Sequence, residues 1–427
     1  MMHQVTQQQA GRSRWKARHT VLSVLFVTWL VAFMDRTVMS VAIPYIAADF
    51  KLTPWQSGLV MSAFFASYSI SQIPGGMLAD IFGVRRVATV AMLWWSAFTA
   101  VTGAAGNFGQ MVAVRAIFGL GEGVYPACVF KTIAVWFPKR ERATANAIKM
   151  AAGPLGAALS PLFVVGVMAT WGWRHVFYLL FIPGIVATIL FWIFVTDKPS
   201  ESARVSAEEL AEIEEGDHIL VTTSEPKPSL RSVISEPNVL KYFFALFAFD
   251  IAYWGFTSWL PTYLVKARHF SMTEMGVAAS VPFFAGTIGS VLGGWISDRL
   301  FLNSRKTPIV IMQLLSALLL FLSYQAQSTI VLVICQALAG FCLSFFFSCF
   351  WALPMTTISK ERMGVASGFI NTAGQIAAFI SPVTIGYLVT ISDGGFGLTF
   401  GLLIVSLLAS CAVVLTIPGR SASATAL

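Results

Sequence analysis

Gly75-Gly76-Met77-Leu78-Ala79-Asp80 closes one apolar run, and Gly293-Gly294-Trp295-Ile296-Ser297-Asp298 closes another 218 residues later. The pair is not isolated. Glu141-Arg142 returns as Glu361-Arg362, Ser160-Pro161 as Ser381-Pro382, and Ile43-Pro44-Tyr45 is echoed by Leu260-Pro261-Thr262-Tyr263, all at offsets of 217–221 residues in a chain of 427. A spacing held this closely over half the chain argues for two similar halves around a central path.

Composition says what the halves are made of. Hydrophobic residues make up 56% and charged residues 11%, against about 25% charge in soluble domains, and mean hydropathy is +0.74. Apolar runs fall at 20–46, 56–79, 85–105, 108–133, 143–169 and 174–196, and again at 240–265, 274–298, 306–325, 329–353, 363–391 and 396–417. Each can cross a hydrocarbon core of about 30 Å at about 1.5 Å per residue. The sequence therefore predicts an all-α membrane protein with twelve transmembrane helices in two pseudo-symmetric six-helix bundles. The divisions are an N-terminal tail 1–19, a bundle 20–196, a linker 197–239, a second bundle 240–417 and a C-terminal tail 418–427.

The net charge of +8 does not gather into a nucleic-acid-binding patch, because the basic residues scatter over the ends of apolar runs. One side collects Arg12, Arg14, Lys16, Arg18, Arg85, Arg86, Lys139, Arg140, Arg142, Arg299, Arg305, Lys306, Lys360 and Arg362. The positive-inside rule puts that side, both termini and the linker in the cytoplasm of a multi-pass inner-membrane protein. The first apolar run is too long for a signal peptide and no small-residue cleavage site follows it. In the linker, Ser206-Ala207-Glu208-Glu209-Leu210 reads as a capped, acidic helix within a solvated connector. The five cysteines lie inside apolar segments, with Cys335, Cys342 and Cys349 on one stripe, and neither a metal site nor a disulfide framework is implied. No phosphate-binding loop, nucleophile elbow or metal cluster supports an enzyme, and no cofactor is expected. Nothing demands more than a monomer.

Six ionisable residues interrupt the apolar runs: Asp35, Arg36, Arg115, Glu122, Lys149 and Asp250. Facing lipid, they would cost roughly 15–20 kcal/mol together, more than a typical folding stability. They must therefore point inward. Arg115 and Glu122, seven residues apart, share one helix face about 10 Å apart, and Gly119, Gly121 and Gly123 let a helix or a ligand come close. Asp35 and Arg36, being neighbours, point about 100° apart and cannot meet the same partner. An anion bound at Arg36 or Arg115 draws that cation from its carboxylate and favours protonation there, which couples a proton to an anion. Lys149 lies about two turns into its helix and could snorkel outward. Asp250 could pair with Lys149 or serve as an extra proton site.

The chain resembles the major facilitator superfamily over nearly its whole length. Gly76-Met77-Leu78-Ala79-Asp80-Ile81-Phe82-Gly83-Val84-Arg85-Arg86 is similar to the superfamily's loop between the second and third helices, departing at Ile81 and Val84, where a basic residue usually stands. The second copy keeps Asp298-Arg299 but loses the short glycine turn. The resemblance implies a cytoplasmic gate of Gly76, Asp80, Arg85, Gly294, Asp298 and Arg299, in which the aspartates pair with Arg residues and latch the bundles together. Asp35-Arg36, the Arg115/Glu122 helix, Tyr68 to Gly76, and Asn371-Thr372-Ala373-Gly374-Gln375 with Ser381-Pro382 resemble the anion:cation symporter branch. That branch includes sugar-acid and other organic-acid permeases and relatives of sialin and the vesicular glutamate transporters. The likeness implies a substrate carboxylate held by Arg36 and Arg115, protons carried by Asp35 and Glu122, and a cavity lined by Tyr68, Trp351, Asn371 and Gln375. Gln375 stands where the branch would have Asn. The expected function is proton-coupled uptake of a small organic anion such as a sugar acid or other carboxylate. The alternative is a proton-coupled antiporter or exporter, which Gly153-Pro154 partly suggests, although Lys149 replaces the glycine expected before it.

Overall fold

The computed structural model describes residues 15–214, 230–301, 304–358 and 360–417. Expectations for Arg12, Arg14, the middle of the linker and the C-terminal tail lie outside the described residues. The helices are α1 (Ala17–Phe50), α2 (Pro54–Phe82), α3 (Val84–Ala104), α4 (Phe108–Trp136), α5 (Lys139–Trp171), α6 (Trp173–Phe194), α7 (Ala207–Glu214), α8 (Leu230–Ile234), α9 (Pro237–Lys266), α10 (Met272–Leu300), α11 (Lys306–Gln325), α12 (Thr329–Phe350), α13 (Pro354–Thr357), α14 (Lys360–Ile391) and α15 (Gly397–Thr416). Twelve of those described have 20 residues or more, six on each side of the linker. Eleven are long and apolar enough to span a membrane. The other is α2, whose serines and glutamines lower its hydropathy and which packs between α4 and α14.

Local chemistry sets the helix starts. Thr53 accepts from Gln56 N–H ahead of Pro54, Asn107 accepts from Gln110 N–H, and Ser271 and Glu274 cap one another's amides. Gly83 (φ +84°) and Gly172 (φ +78°) occupy the left-handed region that side chains disfavour. They turn α2 into α3 and α5 into α6 within one residue.

An even number of crossings places the start of α1 and the end of α15 on one side, here called the terminal side. On the far side the bundles meet backbone to backbone. Gly58 of α2 lies on the Pro382 carbonyl of α14, Gly386 lies on the Pro54 carbonyl, and Gly276 of α10 packs on Val165 of α5. Trp55 N–H donates to Thr390 Oγ1 at 3.1 Å across this seam.

The linker differs from the solvated connector expected for it. Glu209, 4% exposed, accepts from the amides of Ala17 and Arg18 at 3.0 and 2.9 Å, so a side chain of α7 caps α1. Glu212 pairs with Lys16 at 2.5 Å and with Arg18 at 3.0 Å, and Arg18 pairs with Glu141 of α5 at 3.1 Å. The open amides at the start of α1 attract carboxylates. Those amides and the basic tail fix α7 to the first bundle.

Candidate anion-binding site

A cavity lies between the bundles and is walled by both of them. Phe33, Arg36, Thr37 and Ser40 of α1 line it, spaced as one helix face. Met39 of α1, Met61, Phe64 and Phe65 of α2, Arg115 of α4 and Ala157 of α5 complete the first bundle's share. The second bundle contributes Tyr253, Trp254, Thr257 and Ser258 of α9 and Phe283 of α10.

Gly119 and Gly123 bring α4 onto the carbonyls of Phe64 and Tyr68 in α2, while Gly121 makes room for Trp94 of α3. This close packing carries Glu122 to Arg36. Arg36 Nε and Nη2 donate to Glu122 Oε1 at 2.9 and 2.5 Å, and Glu122 is 1% exposed. The Arg36 guanidinium also lies 4.7 Å from the ring centroids of both Phe33 and Tyr68. Arg115 is 2% exposed and is in no ion pair among the described residues; its guanidinium lies 4.4 Å from the Phe118 ring and 5.2 Å from the Phe64 ring. Asp35 turns away from Arg36 toward α3, where Thr99 Oγ1 donates to Oδ1 at 3.1 Å. Glu122 thus pairs with Arg36, while Arg115 meets the cavity with no carboxylate in ion-pair range among the described residues.

The other expected residues separate. Tyr68 lies against Arg36, and Trp351, Asn371 and Gln375 are not on the cavity wall. Gly374 seats α14 on α9 by leaving room for the Asp250 carboxyl, and the second bundle's wall is built from α9 and α10 instead. Sequence reading passed over Tyr253 and Thr257, which follow Asp250 at helical spacing and could have been found from it.

At the expected gate, Asp80 pairs with Lys131 of its own bundle at 2.7 Å rather than with an Arg. Arg85 donates its amide to Asp197 at 2.9 Å and its guanidinium to the Trp192 carbonyl, tying α3 to the end of α6. Gly76 faces Ala127 of α4, a Cβ at Gly294 would meet nothing within 4 Å, and Arg299 lies over Trp295. The Asp298 side chain lies outside the described residues. In this conformation Asp80 does not latch one bundle to the other.

Lys149 does not snorkel. It is fully buried, with Nζ 3.9 Å from the Trp29 ring centroid and 4.4 Å from that of Phe130. The rings of α1 and α4 hold the cation in place. Asp250, 3% exposed, forms no ion pair with Lys149 or with any other described residue, and its Oδ1 has no hydrogen-bond partner among them.

Comparison with known proteins bears on the whole chain. The Major Facilitator Superfamily profile matches residues 25–382. The chain belongs to that superfamily. Among its major facilitator relatives, the probable galactarate/D-glucarate transporter of Escherichia coli K12 is 32% identical over 395 residues, covering 87% of this chain and 88% of the relative. The probable sulfoacetate transporter of Cupriavidus necator H16 is 32% identical, covering 91% of each chain. The hexuronate transporter of Bacillus subtilis is 30% identical, covering 95% of this chain and 97% of its own. These relatives are transporters, not enzymes, and their organic-acid cargoes agree with the branch resemblance drawn from Asp35-Arg36 and the Arg115/Glu122 helix. A solved bacterial homolog of the human lysosomal transporter Spinster, inward-facing and unoccupied, has the same major facilitator fold, with a TM-score of 0.72 at 17% identity over 95% of both chains.

Proposed function

We propose that this transporter takes up a small organic anion in symport with protons, by alternating access, as a monomer in the cytoplasmic membrane with both termini inside. The observation that carries the reading is Arg115, a buried guanidinium on the cavity wall that forms no ion pair among the described residues, beside the Arg36–Glu122 pair. A charge stripped of water needs an opposite charge, and an incoming carboxylate supplies it. An anion seated there also competes with Glu122 for Arg36. Glu122, relieved of its cation, then takes up a proton, as buried carboxylates do. Asp35, hydrogen-bonded by Thr99, is the second proton carrier. Loading of the cavity and protonation thus favour one another, and the proton gradient drives accumulation.

With the basic terminal side in the cytoplasm, the sealed far side makes this the inward-facing conformation. Rocking of the bundles would part Gly58 from Pro382 and Gly276 from Val165 while closing the Gly76 and Gly294 segments. The relatives named for galactarate, hexuronate and sulfoacetate support an organic acid as cargo. Arg115→Ala should abolish both the thermal shift given by organic anions and their uptake into proteoliposomes. Retention of either by the folded variant would remove the basis of the assignment.

A further inference from the structure

We propose that Asp250 is a proton-binding site of the second bundle, loaded from the cavity past Tyr253, so that each cycle carries one proton beyond those assigned to Glu122 and Asp35. The proposal rests on the proton-symport reading above and adds a site to it.

The carboxyl is dry and unmatched. Asp250 is 3% exposed, and among the described residues it forms no ion pair and its Oδ1 has no hydrogen-bond partner. The charges on the helices around α9 are engaged elsewhere. Arg36 of α1 holds Glu122, and Asp35 meets Thr99. Glu274 and Arg299 stand at opposite ends of α10, and Arg362 near the start of α14 pairs with Glu236. Tyr387 of α14 is exposed, Tyr242 of α9 is bonded to Thr357, and α12 and α15 offer only cysteines. A carboxylate so placed lacks a counter-charge, whereas the protonated acid needs none. A proton takes one lone pair, while a hard metal ion takes several oxygens. No group of three His, Cys, Asp or Glu among the described residues could hold a metal.

Tyr253 supplies the access. Three residues after Asp250, it leaves α9 on a neighbouring face, stands on the cavity wall, and has both Asp250 and Arg36 within electrostatic reach. The rings of Phe249 and Phe347, 6.3 and 5.0 Å from it between centroids, hold its own ring in place. Its hydroxyl is the polar step between the cavity and the buried acid. It gives its proton to the Asp250 carboxylate and takes another from the cavity, so one O–H bond forms at the acid and the phenol is restored.

The helix that seals the far side also covers this carboxyl. A Cβ at Gly374 of α14 would collide with Asp250 Oδ2. Eight residues further along, about 12 Å, the Pro382 carbonyl meets Gly58 at the far-side seam. Ser381 Oγ donates to the Ile251 carbonyl at 2.7 Å, tying that part of α14 to the residue after Asp250. Opening of the seam moves α14 and with it the cover, so proton gain and loss at Asp250 follow the gate. Glu122 links the anion to the proton; Asp250 sets how many protons travel with it.

The test is steady-state accumulation of labelled D-glucuronate and D-glucarate in proteoliposomes under an imposed pH gradient, with the membrane potential clamped at zero. Each coupled proton multiplies the accumulation ratio about tenfold per pH unit. Asp250→Asn should therefore accumulate about tenfold less than the parent for each unit imposed, while exchange of labelled for unlabelled anion continues. Asp250→Ser should do the same and covers the case in which the amide variant fails to fold. Accumulation equal to the parent's by either folded variant overturns the proposal and leaves the symport reading standing. Loss of exchange together with accumulation in both variants makes Asp250 a packing residue and overturns it too. So does accumulation that follows a sodium gradient in the parent but not in Asp250→Asn. A parent that accumulates neither anion, or does so without regard to pH, overturns the symport reading and this site with it.

Discussion

Replacing Glu122 by glutamine separates the two jobs assigned to the Arg36–Glu122 pair. The substitution keeps the side chain's shape and both oxygen-to-nitrogen contacts, 2.9 and 2.5 Å, but removes the negative charge. Each charge-assisted bond contributes about 1.5–3 kcal/mol and each neutral one about 0.5–1.5 kcal/mol, so two bonds lose about 2–3 kcal/mol of stability together. The cavity meanwhile loses one of the carboxylates that face its two guanidiniums. At an effective dielectric of about 20, an added unit charge about 4 Å from an anion contributes up to about 4 kcal/mol before solvation costs are taken off. Glu122→Gln should therefore melt at a lower temperature yet bind carboxylates about tenfold or more tightly than the parent. In proteoliposomes, exchange of labelled for unlabelled anion should persist, while accumulation driven by an imposed pH gradient should vanish. Accumulation equal to that of the parent would refute the proton-carrier role of Glu122. Weaker anion binding would refute the charge accounting.

Three further expectations concern other parts of the molecule. Gly58→Ala places a methyl group on the Pro382 carbonyl and 2.9 Å from Val383 Cα, so it should wedge the far-side seam; thiol labelling of a cysteine placed at Thr390 should speed up, and an unchanged rate would sink the idea that this seam is a gate. Asp250→Asn removes a buried acid whose ionised form has no cation to face, and its melting temperature should stay level or rise; a loss of several degrees would mean that the carboxylate has a partner. Hydrogen bonds from Lys16 and then Arg18 hold the Glu212 carboxyl below its ordinary range, so its contribution to docking α7 is complete above that range and fades as pH falls through the lowered value. Hydrogen exchange at α7 should quicken only in strong acid, and protection that dropped near neutral pH would contradict this.

The repeated Gly-Gly-x-x-x-Asp blocks and the run lengths were enough to predict six helices on each side of a linker, because bilayer thickness and helix rise set the length of a span. The opposed directions of Asp35 and Arg36 also followed from helix geometry alone, and the structure sends them to Thr99 and Glu122. Partner choice was harder to read. Asp80 takes Lys131, and Lys149 is enclosed by rings of α1 and α4, through rotations and registers between helices that no local pattern encodes. The linker misled for a related reason. Ala207–Glu214 is acidic enough to be solvated, and its docking depends on amides left open at the distant start of α1. The wall residues of α9 carry no distinguishing mark in the sequence, because most of the wall is aromatic or hydroxylic and such residues recur throughout the apolar runs.

The rings on either side of Arg36 bear on how fast the cycle can turn. A guanidinium leaving one carboxylate for another would ordinarily pass through a hydrated intermediate, and drawing water into a dry site is slow and costly. Phe33 and Tyr68 lie with their ring centroids each 4.7 Å from the Arg36 guanidinium, contacts that Arg36 would keep during such an exchange. In the proposed cycle the aromatic sleeve would work as a bearing, lowering the reorganisation needed to trade Glu122 for a substrate carboxylate. Turnover would then be set by the rocking of whole bundles, with the exchange of ionic partners at their centre following rapidly behind.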